Sequence, residues 1–225
     1  MVLKLSDRNN LIYLTLALLT LLLLIAVAEQ TASAWGRDLM QVGFLLVLGV
    51  AMWTVRRHRG LFRSAVGVLG VVVLITLVSL WFSHAGLRLL QLVLLSGLFG
   101  GLAWLTFKQV LFTTGPIDAN RLSGAISIYL LLGLIWAVAY VGVLEVDPHA
   151  FNGNEAGPWL ESIPEFVYFS FVSLTTLGYG DISPATPIAR FVVYLEAILG
   201  QLYLAIMVAG LVGIGISDRI ANRSD

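Results

Sequence analysis

Apolar residues run along this chain in long blocks separated by short polar clusters. Six blocks stand out, at 11–28, 39–55, 64–83, 86–107, 122–144 and 187–216. Each is close to or beyond the ~20 residues that a helix needs to cross a hydrocarbon core. The last is the longest. At ~1.5 Å per residue it spans more than about 40 Å, so it is expected to tilt or project past the bilayer. The stretch between the fifth and sixth blocks, 145–186, has a different pattern. Asp147 to Trp159 is polar, with Asn152-Gly153-Asn154 as a turn signal, and reads as an extracellular turret. SIPEFVYFSFVSLTT follows at 162–176. Ser162 suits a cap, Pro164 a first helical turn, and Glu165 the positive end of a helix dipole. The apolar part is too short to span and fits a re-entrant half-helix.

Composition agrees with a lipid solvent. The 225 residues are 59% hydrophobic and only 12% charged, and mean hydropathy is +0.93. A soluble domain of this size needs far more charge to cover its surface. Formal net charge is zero, which gives no sign of nucleic-acid binding. The chain has no cysteine, so disulfides and thiol metal sites are excluded. His58, His84 and His149 lack metal-ligand spacing and read as loop or interface residues.

Charge sets orientation. If the helices alternate, Lys4, Arg8, Arg56, Arg57, Arg59, Arg63, Lys108, Arg121, Arg219 and Arg223 share one side. Only Arg37, Arg88 and Arg190 fall on the other. The positive-inside rule then puts both termini in the cytoplasm. Trp35, Trp53, Trp81 and Trp104 fall near block ends, as interfacial belts do, and Trp136 is mid-block and reads as a packing residue. Glu145, Asp147, Glu155, Glu161 and Glu165 make the outer side acidic. They read either as a solvated loop or as a weak funnel for cations. Lys4 and Arg8, an apolar run and Ala32-Ser33-Ala34 imitate a cleavable signal, but the run is longer than a usual signal core and favours an uncleaved first helix.

TTLGYGD, residues 175–181, comes directly after the short helix. Irregular backbone at membrane depth is tolerated only when buried in protein or lining a watery path. Gly178 and Gly180 alternate with larger residues, and glycine reaches positive φ without steric cost. Alternating handedness points successive carbonyls one way, and carbonyls aimed at one axis replace an ion's water shell. The half-helix aims its negative C-terminal end at the same place. One chain cannot close a ring, so several copies around an axis are required.

Thr175-Thr176-Leu177-Gly178-Tyr179-Gly180-Asp181 resembles the potassium-channel filter signature usually written TTVGYGD. The resemblance runs from about Leu122 to Gly215, and includes the aromatic pore helix, Pro184 after the filter and a glycine in the inner helix. It implies a homotetramer with a central pore and K+ as the permeant ion. It implies that the carbonyls of Thr176, Leu177, Gly178 and Tyr179 line K+ sites, with the Thr176 hydroxyl at the innermost and Gly180 completing the filter. Thr175, Asp181 and Tyr168 are the support positions. Tyr179 is expected to point outward against neighbouring aromatics. Gly200 matches the gating hinge, with close helix packing as the equal alternative. Leu177 replaces the usual valine or isoleucine. Tyr168 stands where some members carry a tryptophan bonded to the filter aspartate, and Val172 where some carry a buried glutamate.

The expected fold is an all-α membrane protein: six transmembrane helices, with the re-entrant pore helix and filter between helices five and six, in a tetrameric pore. Residues 1–108 form a four-helix module shaped like a voltage sensor, 109–121 a cytoplasmic interfacial linker, and 122–225 the pore domain. A voltage sensor needs a basic residue at every third position, because each charge moved is worth ~2.3 kcal/mol per 100 mV. The fourth block has Arg88 and Lys108 at its ends and nothing basic between them, so steep voltage dependence is not expected. With about ten residues past the last apolar turn, gating by a cytoplasmic regulatory domain is not expected from this chain itself, and a separate subunit is left open. Compact loops suggest a prokaryotic inner membrane.

The expected function is passive, selective K+ conduction with no catalysis and no cofactor. Partners are further copies of the chain and membrane lipid, not nucleic acid. The alternatives are a weakly selective cation channel and a transporter. Transporters often carry paired broken helices, and only one interruption is visible here. A membrane-embedded enzyme needs ionisable groups at membrane depth. Glu196 is the clear candidate, and bonding to a neighbouring helix is its simpler role.

Overall fold

The structure, a computed structural model, describes residues 9–31, 49–50, 67, 70–71, 85–112, 118–154 and 162–221. Five helices and two short strands are delimited among these residues, and 49–50, 67 and 70–71 are helical as well. The delimited elements are α1 (Asn10–Thr31), α2 (Ala85–Phe112), α3 (Ala119–Val146), β1 (Phe151–Asn152), α4 (Ile163–Leu174), β2 (Ser183–Pro184) and α5 (Pro187–Ala221). The first, fourth, fifth and sixth apolar blocks are therefore α1, α2, α3 and α5. Most of the second and third, 39–55 and 64–83, lies outside the described residues.

Four of the helices are long and apolar enough to cross a membrane, over Asn10–Ala28, Gly86–Phe112, Ala119–Val146 and Pro187–Gly213. Leucine, alanine and valine dominate them, and proline stays out of their interiors. A helix satisfies its own backbone polar groups, which lipid does not. α5 begins at Pro187, where a missing N–H costs nothing. α3 begins after Asp118, whose Oδ1 accepts the Arg121 N–H at 2.9 Å.

The chain divides into two compact units. The first comprises Met1–Arg57, Leu102–Leu130 and Leu202–Asp225. Here the start of α1 is tied to the start of α3. Asn120 Oδ1 accepts the Leu11 and Ile12 N–H groups at 3.0 and 3.3 Å, satisfying two amides that a helix start leaves orphaned. Asn10 Nδ2 donates to Gln109 Oε1 at 3.1 Å. Thr15 and Ser127 hydroxyls meet at 2.8 Å in a buried contact. Arg121, 6% exposed, donates through Nε and Nη2 to the Val110 carbonyl at 3.0 and 2.7 Å. A cation at the C-terminal end of α2 is favoured by the helix dipole. The linker expected over 109–121 is thus helical at both described edges, with 113–117 outside the described residues.

The second unit comprises His58–Gly101 and Leu131–Gln201. Its core is a cluster of rings from α3, β1 and α4. Tyr140 packs on Phe169 and Phe151 at centroid distances of 5.1 and 5.6 Å, and Phe151 on Phe166 at 4.9 Å. Each such pair contributes ~0.5–1.5 kcal/mol beyond its area. Arg88 of α2 forms an ion pair with Glu145 of α3 at 2.6 Å. Glu145, one of the five carboxylates of the expected acidic loop, is therefore engaged with α2, while Glu155 and Glu161 lie outside the described residues.

Candidate functional site

α4 has 12 residues and is set into the second unit by its apolar face: Phe166, Val167, Phe169, Val172 and Leu174 are buried. Pro164 and Glu165 stand in its first turn as the sequence implies. Ser162 does not cap by its side chain. It holds a right-handed helical conformation, φ −81° and ψ −12°, instead of the extended one that aims a capping oxygen at the next amides. Gly133 of α3 faces the Phe171 ring so closely that an added Cβ would lie 2.6 Å from it.

The chain leaves α4 by folding its amides back. Thr175 and Thr176 N–H groups donate to Phe171 and Ser173 carbonyls at 3.1 and 3.0 Å. The Leu177 and Gly178 N–H groups both donate to the Val172 carbonyl, at 2.9 and 3.2 Å. These bonds absorb carbonyls that a helix C-terminus leaves without partners. Positive φ then recurs at every second residue: 60° at Thr176, 59° at Gly178 and 81° at Gly180. The glycines are needed for this conformation and not for space, since an added Cβ at either meets nothing within 4 Å. Thr176 adopts it as a β-branched residue, which costs ~1–2 kcal/mol. Leu177 and Tyr179 are 56% and 68% exposed in the single chain.

The stretch is held at its far end too. Tyr168 of α4 donates its hydroxyl to Asp181 Oδ2 at 2.6 Å, so the two support residues meet. That bond holds the Asp181 carboxyl below its usual range. The same bond pushes the Tyr168 hydroxyl up to about 12. Asp181 Oδ1 accepts the Ile182 N–H at 3.0 Å. The turret closes over this point. Phe151 and Asn152 pair antiparallel with Pro184 and Ser183, and Ala185 N–H donates to Ala150 O at 2.8 Å. Gly153, at φ 79°, passes so near Asp181 O that an added Cβ would lie 1.9 Å from it.

Glu196 and Gly200 lie one turn apart on α5, and both face α4. Glu196 is fully buried. Tyr140 donates its hydroxyl to Glu196 Oε2, and Ser170 Oγ lies 2.5 Å from Glu196 Oε1 and 2.8 Å from Gly133 O. Three helices thus meet at one carboxyl group. A Cβ at Gly200 would lie 2.6 Å from Leu174 Cδ1 and 3.0 Å from Leu174 O. Glu196 is bonded to Tyr140 and Ser170 and not to residues 175–181. Tyr140, Ser170 and the handedness of Thr176 escaped the sequence reading. Tyr140 and Ser170 are polar groups inside apolar runs, a signal that was present. Among the described residues there is no cluster of His, Cys, Asp or Glu fit to hold a metal ion.

The half-helix α4 and the glycine-bearing stretch after it thus lie between two membrane-capable helices, α3 and α5. Residues 124–215 match the family model described as an ion channel. The chain is 30% identical over 100 residues to the inward rectifier potassium channel Kirbac3.1 of Paramagnetospirillum magnetotacticum, covering 44% of this chain and 30% of that protein. It is 34% identical over 86 residues to the two pore potassium channel c of Oryza sativa subsp. japonica, covering 37% of this chain and 19% of that one. It is 34% identical over 100 residues to the potassium voltage-gated channel subfamily A member 10 of Mus musculus, covering 44% and 18%. These matches support a potassium-channel family for this chain. They span about a fifth to a third of the length of those relatives. No solved structure gives a significant match.

Proposed function

We propose that the chain forms a K+-selective channel that conducts passively, with four copies arranged around a central pore. The observation that carries this is the alternation of positive φ at Thr176, Gly178 and Gly180 directly after α4. Alternate handedness turns successive carbonyls toward one side, and the dipole of α4 adds negative potential at its C-terminal end. K+ binds to the carbonyls of Thr176, Leu177, Gly178 and Tyr179, and Tyr168 and Asp181 brace them. The exposed side chains of Leu177 and Tyr179 pack against neighbouring copies.

Residues 1–108 form a four-helix module without gating charges, 109–121 a connector, and 122–225 the pore domain. The lack of basic residues between Arg88 and Lys108 supports weak voltage dependence. The basic loops support cytoplasmic termini, and the compact loops support a prokaryotic inner membrane.

Flux from loaded liposomes tests the reading. Vesicles carrying the protein lose K+ down its gradient and retain Na+. Equal loss of both ions favours a weakly selective cation channel. Uphill movement driven by a second ion gradient favours a transporter and overturns the proposal.

A further inference from the structure

Glu196 sits among more hydrogen-bond contacts than two hydroxyl groups can supply. Three short oxygen–oxygen contacts meet there: Tyr140 Oη with Glu196 Oε2, Glu196 Oε1 with Ser170 Oγ at 2.5 Å, and Ser170 Oγ with Gly133 O at 2.8 Å. Each needs a hydrogen between its two oxygens, because lone pairs at such separations repel. The Tyr140 and Ser170 hydroxyls supply one each. A carboxylate supplies none, and neither does the Gly133 carbonyl. The third hydrogen has one remaining source, the Glu196 carboxyl group.

We infer that Glu196 is a neutral carboxylic acid that donates its proton to Ser170 while accepting from Tyr140. Ser170 then donates to Gly133 O, and every contact is satisfied. The surroundings agree. Glu196, Tyr140 and Ser170 are each fully buried, and Phe151, Phe166 and Phe169 surround the Tyr140 ring. The polar partners of Glu196 are both neutral hydroxyls. A buried charge without an opposite charge is costly, whereas a neutral acid needs only its hydrogen bonds.

The consequence rests on reading α4 as the pore helix. Ser170 lies one turn before Leu174, and Leu174 leads directly into TTLGYGD. The acid proton of Glu196 therefore ties α5 to the element that positions the filter, and α3 joins through Tyr140 and Gly133. Glu196 is a positioning residue here. It acts on the filter through Ser170 and does not touch the ion path.

Infrared spectroscopy of the full chain in lipid vesicles tests this without depending on conduction. The spectrum of wild type minus Glu196→Gln at neutral pH is expected to contain the C=O stretch of a protonated carboxylic acid. It is also expected to move on exchange into deuterium oxide. Loss of carboxylate stretches instead, with no acid carbonyl band, overturns the inference. Should Glu196→Gln fail to fold, Ser170→Ala is used. It removes the acceptor of the acid proton, so the acid band shifts to higher frequency. An absent or unshifted band in that variant also overturns the inference. Either result can be read whether or not the vesicles pass K+, so it stands apart from the proposed function.

Discussion

Replacing Gly200 by alanine adds one methyl group where α5 meets the end of α4. The new Cβ would sit 2.6 Å from Leu174 Cδ1 and 3.0 Å from Leu174 O. Leu174 is fully buried, so its side chain moves only by displacing others. The carbonyl is backbone, in the last turn of α4, and has even less freedom. Overpacking of this kind costs ~1–3 kcal/mol. Alanine returns ~1 kcal/mol of helix propensity relative to glycine. The net expectation is a loss of roughly 0–2 kcal/mol. Gly210, further along the same helix, is the internal control, because an added Cβ there meets nothing within 4 Å. Gly210→Ala should gain up to ~1 kcal/mol. Denaturant unfolding of both variants in detergent measures the gap, expected near ~1–3 kcal/mol. Leu174→Ala in the Gly200→Ala background should recover part of the loss, as contacting residues couple. Equal shifts at the two glycines, with no coupling to Leu174, would refute close packing and leave the hinge reading of Gly200.

Gly178→Ala and Gly180→Ala each place a side chain at positive φ, straining the strand by ~1–2 kcal/mol without a clash. K+ over Na+ selectivity in liposome flux should fall in both, and unchanged selectivity would show that handedness there is unimportant. Tyr168→Phe removes the bond to Asp181. Asp181 is held below its ordinary value of 3.8 by the Tyr168 hydroxyl, so its contribution is present above that value and is lost as pH falls through the lower one. Tyr168 rises from 10.0 to about 12, so its contribution is present below pH 10.0 and is lost as pH rises through about 12. Between those limits wild type should unfold at higher temperature than Tyr168→Phe, with the gap closing toward both extremes, and a constant gap would contradict the bond. Arg121→Ala removes two charge-assisted bonds to the Val110 carbonyl. It should cost ~1.5–3 kcal/mol in the same unfolding assay, and an unchanged midpoint would count against a structural role for this arginine.

The short helix α4 and the positive-φ stretch after it were legible because their physics is local. A short apolar segment beside a glycine-bearing strand cannot be an ordinary span, and the order of residues alone says so. The four long described helices were legible for the same reason, since apolar length reports on lipid directly. Long-range polar contacts were not. Asn10 and Asn120 meet across a sequence separation of 110 positions, and nothing in either neighbourhood marks them as partners. The Tyr140–Glu196–Ser170 group is similar: Glu196 stands out as a charge in an apolar run, but its partners depend on how three helices rotate. Ser162 shows the opposite failure. A good capping residue stood at the right place, and the backbone took a conformation that leaves its hydroxyl unused.

The central claim is that TTLGYGD discriminates K+ from Na+. The most direct test is the reversal potential of the purified protein in a planar bilayer, with K+ on one side and an equal concentration of Na+ on the other. A strongly selective filter predicts a potential far from zero, with the sign set by K+ flux. A potential near zero with clear current through the same protein would contradict it.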